Sequence, residues 1–289
     1  MNVTRRRFLT ISAAAILIPG VQYDEYRWSG HALGAETSLV FRAPRKTVED
    51  TISSVLKLVD EFEATFSIYR KNSEISTLNQ RAHIRPSKLF HELAGTVSEL
   101  HENTFGFFDP TVQSVWGQNH DLNENQRWRT VKLDHVKIRL PKSTQVSLNG
   151  IAQGFLTDIV DAHLRKQGFS KVLINFGEYK GIGGPWNVGL QQPAGMKSIR
   201  LNDSAIATSS PYGMIQNNGH SHLINPYGYK PILYKSVSVE HPSATIADAL
   251  STAFVFMSHT EIQQVISEHY PESLVHLTSL NKNTYTLRS

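Results

Sequence analysis

The sequence predicts an α+β fold, built as mixed sheets with packed helices in a single compact two-lobed domain. Three observations predict it. Of 289 residues, 40% are hydrophobic and 19% charged, enough for a continuous core and against wholesale disorder. Strand-like and helix-like segments come in blocks, not in strict strand–helix alternation. No internal repeat or low-complexity linker divides the chain.

From the N-terminal side, residues 28–42 are extended, with small residues at Gly30 and Gly34. Residues 47–62 form an amphipathic helix: Val48, Ile52, Val55, Leu56, Val59 and Phe62 recur at helical spacing, and Thr47 with Asp50 can cap its start. Residues 67–82 are polar and loop-like, and 86–103 form a second helix with Pro86 in its first turn. An aromatic-rich turn region follows at 105–116, and short apolar alternations over 131–148 suggest a strand pair. Residues 151–166 read as a helix closed by Gly168. Residues 171–176 are a short buried strand, with further strands at 186–190, 198–208 and 235–240. Two helices follow, an apolar one at 245–258 and another at 261–269.

Composition narrows the function classes. With no cysteine, the chain has no disulfide, thiolate chemistry, Cys-ligated zinc, Fe–S cluster or lipid-modified cysteine. The formal net charge is +4, but Arg5, Arg6 and Arg7 supply three of those positives, so the body of the chain is nearly neutral. No other basic run is interleaved with aromatics, which argues against nucleic acid as a partner. No apolar stretch reaches the roughly 18 residues of a transmembrane helix. At the N-terminus, Thr4-Arg5-Arg6-Arg7-Phe8-Leu9-Thr10 fits the twin-arginine export pattern, and an apolar stretch to Ile18 and then Pro19-Gly20 follow it. The expected organisation is therefore a signal segment at 1–21 and one domain at 22–289, delivered to the periplasm. No A-x-A site follows Pro19, so an uncleaved anchor is an alternative.

Five segments could carry chemistry. Asp248 and Thr252 are four apart and share a helix face; a carboxylate beside a hydroxyl suits a hard cation. The same pair also reads as a carboxylate near a helix dipole with a back-bonded threonine. Leu148-Asn149-Gly150-Ile151-Ala152-Gln153-Gly154 leads from a strand into a helix, where glycines let a phosphate approach backbone N–H groups; a plain turn is the alternative. Asp109 and Thr111 lie in Phe108-Asp109-Pro110-Thr111, either reading an amino group of adenine or closing an Asx turn. Asn175 ends a strand before Phe176-Gly177, and His222 precedes the turn at Asn225-Pro226.

Taken together and in this order, the segments resemble the ApbE-like flavin transferase family. Ser73-Glu74-Ile75-Ser76-Thr77-Leu78-Asn79 is similar to its S-E-I-S-x-L-N block, and Phe108 to Val112 to its F-D-P-T-V. Residues 149–154 resemble G-G-I-A-K-G, with the following aspartate retained as Asp158. Ala205-Ile206-Ala207-Thr208-Ser209 resembles A-I-A-T-S-G, residues 222–226 resemble H-I-x-D-P, and residues 247–252 read A-D-A-L-S-T.

The resemblance implies a T-fold-like α+β architecture with FAD in a cleft. It implies Mg²⁺ on the Asp248 carboxylate, the Thr252 hydroxyl and the Ala152 carbonyl. Glu74 and Asp109 would face the AMP half of FAD; Gly150, Ile151, Gln153 and Gly154 would face the pyrophosphate, with Thr111, Asn175 and Ser209 also on the cofactor. The implied reaction moves FMN from FAD to a threonine or serine of an acceptor protein and releases AMP. The implied acceptor belongs to a membrane-associated electron-transfer system. His222 would take the hydroxyl proton, and Asp248 would serve catalysis through the metal. The chain departs from the family at Gln153 (lysine), Glu178 (glycine), Ser210 (glycine), Asn225 (aspartate) and Leu33-Gly34-Ala35 (M-G-T). Two other functions share these motifs: a non-catalytic FAD- or partner-binding homologue, and an FAD pyrophosphatase.

Overall fold

The computed structural model describes residues 9–10, 25–32, 35–43, 45–118, 120–213, 221–228 and 231–289. The export pattern, apart from Leu9 and Thr10, and the Leu33-Gly34 pair lie outside the described residues. The N-terminal half holds β1 (Leu9–Thr10), β2 (Glu25–Ala32), β3 (Ala35–Arg42), α1 (Arg45–Phe66), α2 (Glu74–Arg81), β4 (His83–Ile84), α3 (Lys88–Asn103), β5 (Lys132–Leu133) and β6 (Ile138–Arg139). The rest holds α4 (Ala152–Lys166), β7 (Val172–Asn175), β8 (Tyr179–Ile182), β9 (Trp186–Gln192), β10 (Gly195–Leu201), β11 (Ala205–Ser209), β12 (Tyr234–His241), α5 (Ala244–Phe254), α6 (His259–Glu268), β13 (Leu274–Ser279) and β14 (Thr284–Arg288).

The central sheet has eight strands in the order β14-β13-β12-β11-β8-β7-β3-β2, each neighbouring pair antiparallel. Side-chain alternation divides its middle strands between two cores. Leu39, Phe41, Val172 and Ile174 join the larger core with α1, α4 and α5, whereas Val40 and Leu173 join a second core with Trp186, Val188, Ile199 and Leu201 of the β9–β10 hairpin. A strand covered on both faces reads as a nearly continuous apolar run, and Val172, Leu173 and Ile174 of β7 are buried, with the buried polar Asn175 at its end. The larger core also takes in Ile75 and Leu78 of α2 and Phe90, Leu93, Val97 and Leu100 of α3, so both parts of the molecule share one interior.

The structure corrects several local expectations. The polar stretch at 67–82 contains α2, capped by Ser73, whose side chain accepts from Ser76 N. Pro86 lies outside α3, which Ser87 caps. The 131–148 strand pair shrinks to two-residue strands, and 198–208 is two strands turning at Asp203, where φ is +49°. Leu56 on α1 is exposed. Gly168 does close α4: it has φ +87°, and Phe169 N donates back to Leu164 O at 3.1 Å.

Candidate active site

The start of α4 lies against α5 with almost no space between them. A Cβ on Gly154 would stand 2.2 Å from Ala244 O and 2.8 Å from Asp248 Cβ, so glycine is required for this approach. Ile151, the residue capping α4, gives it no side-chain hydrogen bond. One orphan donor of the first turn is satisfied instead from α5, because Gly154 N donates to Asp248 Oδ2 at 3.0 Å. One turn further along α5, Thr252 Oγ1 lies 3.4 Å from Gly150 O and 3.2 Å from Ser209 Oγ at the end of β11. The carbonyl brought to Thr252 is thus that of Gly150, while Ala152 is buried in the first turn of α4. Asp248 is 5% exposed, and Thr252, Ser209 and Gly150 are partly open, so the oxygen cluster is both built and reachable.

Behind this cluster, Asp158 fixes the start of α5. Its carboxylate accepts from Ser243 Oγ (2.6 Å), Ala244 N (3.0 Å), Thr245 N (2.9 Å) and Thr245 Oγ1 (2.6 Å), and pairs with Lys180 Nζ at 2.7 Å. Burial alone would raise the Asp158 carboxyl, but Lys180 and the hydroxyl donors outweigh it and hold the group below the usual carboxylate range. A depressed native value means that the stabilisation is complete above the unfolded value, near pH 4, and is lost as the pH falls through the native value. Asp158→Asn is therefore expected to lower stability by about 3 kcal/mol at pH 7, leaving Lys180 only the weaker Asp161 contact at 3.4 Å, and the difference from wild type should shrink below about pH 4. Urea unfolding across pH 3–8 measures this.

The loop after β7 sits beside the start of α4. Gly177 has φ +106°, and a Cβ there would stand 2.5 Å from the Gln153 side chain, which packs over it. Asn175 Oδ1 accepts from Gly177 N at 3.1 Å and shapes this turn. Glu178 is buried, and its carboxylate accepts from Thr208 N at 3.2 Å on β11. Ser210 donates to Lys235 O at 2.9 Å. Both departures from glycine therefore anchor strand ends.

Asp109 caps a short 3₁₀ turn (Pro110–Val115) and is enclosed. It accepts from Thr111 N at 2.9 Å, from the Thr111 hydroxyl and from Trp128 N at 3.2 Å. Burial pushes its carboxyl up, against the opposing pull of Thr111, His101 and Trp128. Glu74 begins α2, accepts from Ser87 N at 2.8 Å, and lines a hollow of about 290 Å³ with Thr77, Arg81 and Arg85.

These parts are tied to the glycine turn by two contacts. Asn79 of α2 exchanges two 2.8 Å hydrogen bonds with the backbone of Val146, and Ser147 N donates to Pro110 O at 3.0 Å. His222 lies in a bend beyond β11, where Ser221 Oγ donates to Pro211 O at 3.0 Å and Asn225 Oδ1 closes a turn on Tyr227 N at 2.9 Å. Gly154 is thus joined to Asp248 and Thr252 to Ser209, Asn79 and Pro110 to Val146 and Ser147 just before the glycine turn, and Pro211 to Ser221, the residues that flank the 205–209 and 222–226 segments. Reading the sequence missed Ser251, Lys180 and the tethering role of Asn79. Asn79 and Ser251 carried a signal, each as a residue of a motif.

The ApbE family profile matches residues 33–275. A curated relative from Vibrio cholerae, named FAD:protein FMN transferase, is 27% identical over 87% of this chain and 88% of its own length. Another of the same name from Haemophilus influenzae is 26% identical over 77% of each chain. Among solved structures, the apo flavinyl transferase ApbE of Pseudomonas stutzeri superposes with a TM-score of 0.77 at 19% identity, covering 91% of this chain and 94% of that one. The Thermotoga maritima ApbE protein gives 0.77 at 20% identity, covering 91% and 96%. At these identities the structural likeness concerns the fold.

Proposed function

This chain belongs to the ApbE family, and from that membership together with the joined motif segments we propose that it transfers FMN from FAD to a threonine or serine hydroxyl of an acceptor protein. The acceptor oxygen attacks the phosphorus on the riboflavin side of the pyrophosphate. The new O–P bond forms as the bond to AMP breaks, and the hydroxyl proton passes to a base, for which His222 is the candidate. The observation that carries the proposal is the α4–α5 junction, where the first turn of one helix and an oxygen cluster from the other meet at Gly154 and Asp248.

The donor set fits Mg²⁺: one carboxylate (Asp248), the Thr252 hydroxyl, and backbone carbonyls at Gly150 and Ala152 are all hard oxygens. Among the described residues no cluster of three His, Cys, Asp or Glu side chains could hold a metal, so a divalent cation here would take further oxygens and charge from the substrate. When bound, Mg²⁺ neutralises charge developing on the pyrophosphate. Asp248 and Thr252 would hold it, and Gln153 would offer a neutral amide where a lysine would offer a charge.

The test is to incubate the protein with FAD, Mg²⁺ and a candidate acceptor, following acceptor mass, AMP and FMN together. Flavinylated acceptor with equimolar AMP supports the proposal. FMN and AMP without a modified acceptor would identify hydrolysis, and no turnover would leave a binding protein. Export to the periplasm belongs to the same proposal, and it rests on Arg5-Arg6 ahead of Phe8-Leu9. No helix among the described residues is long and apolar enough to cross a membrane. Replacing both arginines by lysine should retain the protein in the cytoplasm, as fractionation would show. An acceptor in a membrane-associated electron-transfer system on that side of the membrane fits this address.

A further inference from the structure

Three hydroxyls meet beside Asp248, and counting their protons gives each bond a direction. Ser251 is fully buried on α5 and donates to Asp248 O at 2.9 Å. A serine hydroxyl has one proton, so this bond consumes it. The 2.8 Å contact between Ser209 Oγ and Ser251 Oγ must then be donated by Ser209. With the Ser209 proton also used, the 3.2 Å contact to Thr252 can only be donated by Thr252, whose other neighbour, Gly150 O at 3.4 Å, is an acceptor too. Thr252 has one proton for two acceptors and donates it to one of them at a time, so neither contact draws on a lone pair of its oxygen.

We infer that Ser251 is a positioning residue that polarises this hydroxyl chain so that the Thr252 oxygen presents lone pairs to a divalent cation. The inference rests on the metal reading above and adds to it a residue that touches neither cation nor substrate. Without the Ser251 oxygen, Ser209 loses the acceptor for its proton and turns it on Thr252 Oγ1, the nearest remaining oxygen. One lone pair of the metal-facing hydroxyl is then occupied. Alanine at position 251 removes a single small polar atom from a helix interior, and the Ser251 bond to Asp248 O lies within one helical turn, so the fold should survive.

The two serines should therefore couple in an unusual way. Ser251→Ala should weaken divalent-cation binding by about three- to tenfold, the range expected for misdirecting one neutral hydrogen bond. Ser209→Ala should have a smaller effect, since Thr252 keeps Gly150 O as its acceptor. Adding Ser209→Ala to Ser251→Ala should restore affinity to that of Ser209→Ala alone, because the misdirected proton is gone. Mn²⁺ titration in the presence of saturating FAD, read by electron paramagnetic resonance, measures wild type, the three serine variants and Thr252→Ala without turnover, and circular dichroism checks each fold. Wild type that binds Mn²⁺, a weakened Ser251→Ala and a recovering double variant support the inference. Wild-type binding lost in Thr252→Ala but unchanged in Ser251→Ala, or a double variant no better than Ser251→Ala, overturns the inference and leaves the metal site standing. No Mn²⁺ binding by wild type overturns both.

Discussion

Asp248→Asn is expected to reduce FMN transfer by about 10³-fold or more while leaving the fold intact. The substitution separates two roles of one carboxylate. As a structural acceptor, Asp248 takes the Gly154 N–H at 3.0 Å and so caps the start of α4. An amide oxygen can take the same bond, so α4 and its close approach to α5 should persist. As a charge, Asp248 is the one carboxylate of the oxygen cluster, and an amide cannot replace it. Hard divalent cations that already hold water readily depend on such anionic ligands. Mg²⁺ affinity and turnover should therefore fall together, with circular dichroism and thermal unfolding near wild type. Normal turnover at limiting Mg²⁺ would remove Asp248 from the reaction. A collapse of stability would show instead that the charge on Asp248 matters mainly to the helix.

How far the site can be read from sequence depends on how local its causes are. Helix α4 is legible because its apolar spacing and its stop at Gly168 are both local, and the Asp248–Thr252 pair is legible because helical spacing alone puts the two on one face. Helix α2 is not: Glu-Ile-Ser-Thr-Leu-Asn-Gln-Arg is mostly polar, and only Ile75 and Leu78 reveal that it docks on the core. Strand β13 carries the alternation Val275-His276-Leu277-Thr278 over only six residues, and the fold buries its polar positions as well, His276 pairing with Glu240 at 2.6 Å. Ser251 belongs to the A-D-A-L-S-T motif, but its role shows only when β11 brings Ser209 to it across 42 positions. The motif resemblance identifies which segments matter. It does not reveal that Glu178 and Ser210 turn to neighbouring strands, because that depends on partners at Thr208 and Lys235.

His222→Ala is expected to slow transfer by about 10²- to 10⁴-fold with FAD affinity little changed, the usual effect of removing a general base. The way its loop is held supports this role. β11 ends at Ser209, whose hydroxyl is part of the cluster at Thr252; two residues later Pro211 accepts from Ser221, the neighbour of His222. Further on, Tyr227 anchors the same loop, its ring under the Arg127 guanidinium at 4.1 Å and its hydroxyl on Phe105 O. The loop thus leaves the oxygen cluster and is fastened on both sides of His222, which suits a side chain that must meet an incoming hydroxyl in a fixed place. An imidazole is also the side chain best suited to accept a proton near neutral pH. If it does so, the wild-type rate should fall as acid protonates the base, and this acid limb should disappear from the residual rate of His222→Ala. A role in binding FAD would give a different result: affinity and rate would drop in parallel, and the acid limb would remain. Flavin fluorescence titration and single-turnover rates across pH 5–9, made on the same two proteins, distinguish a proton acceptor from a binding residue.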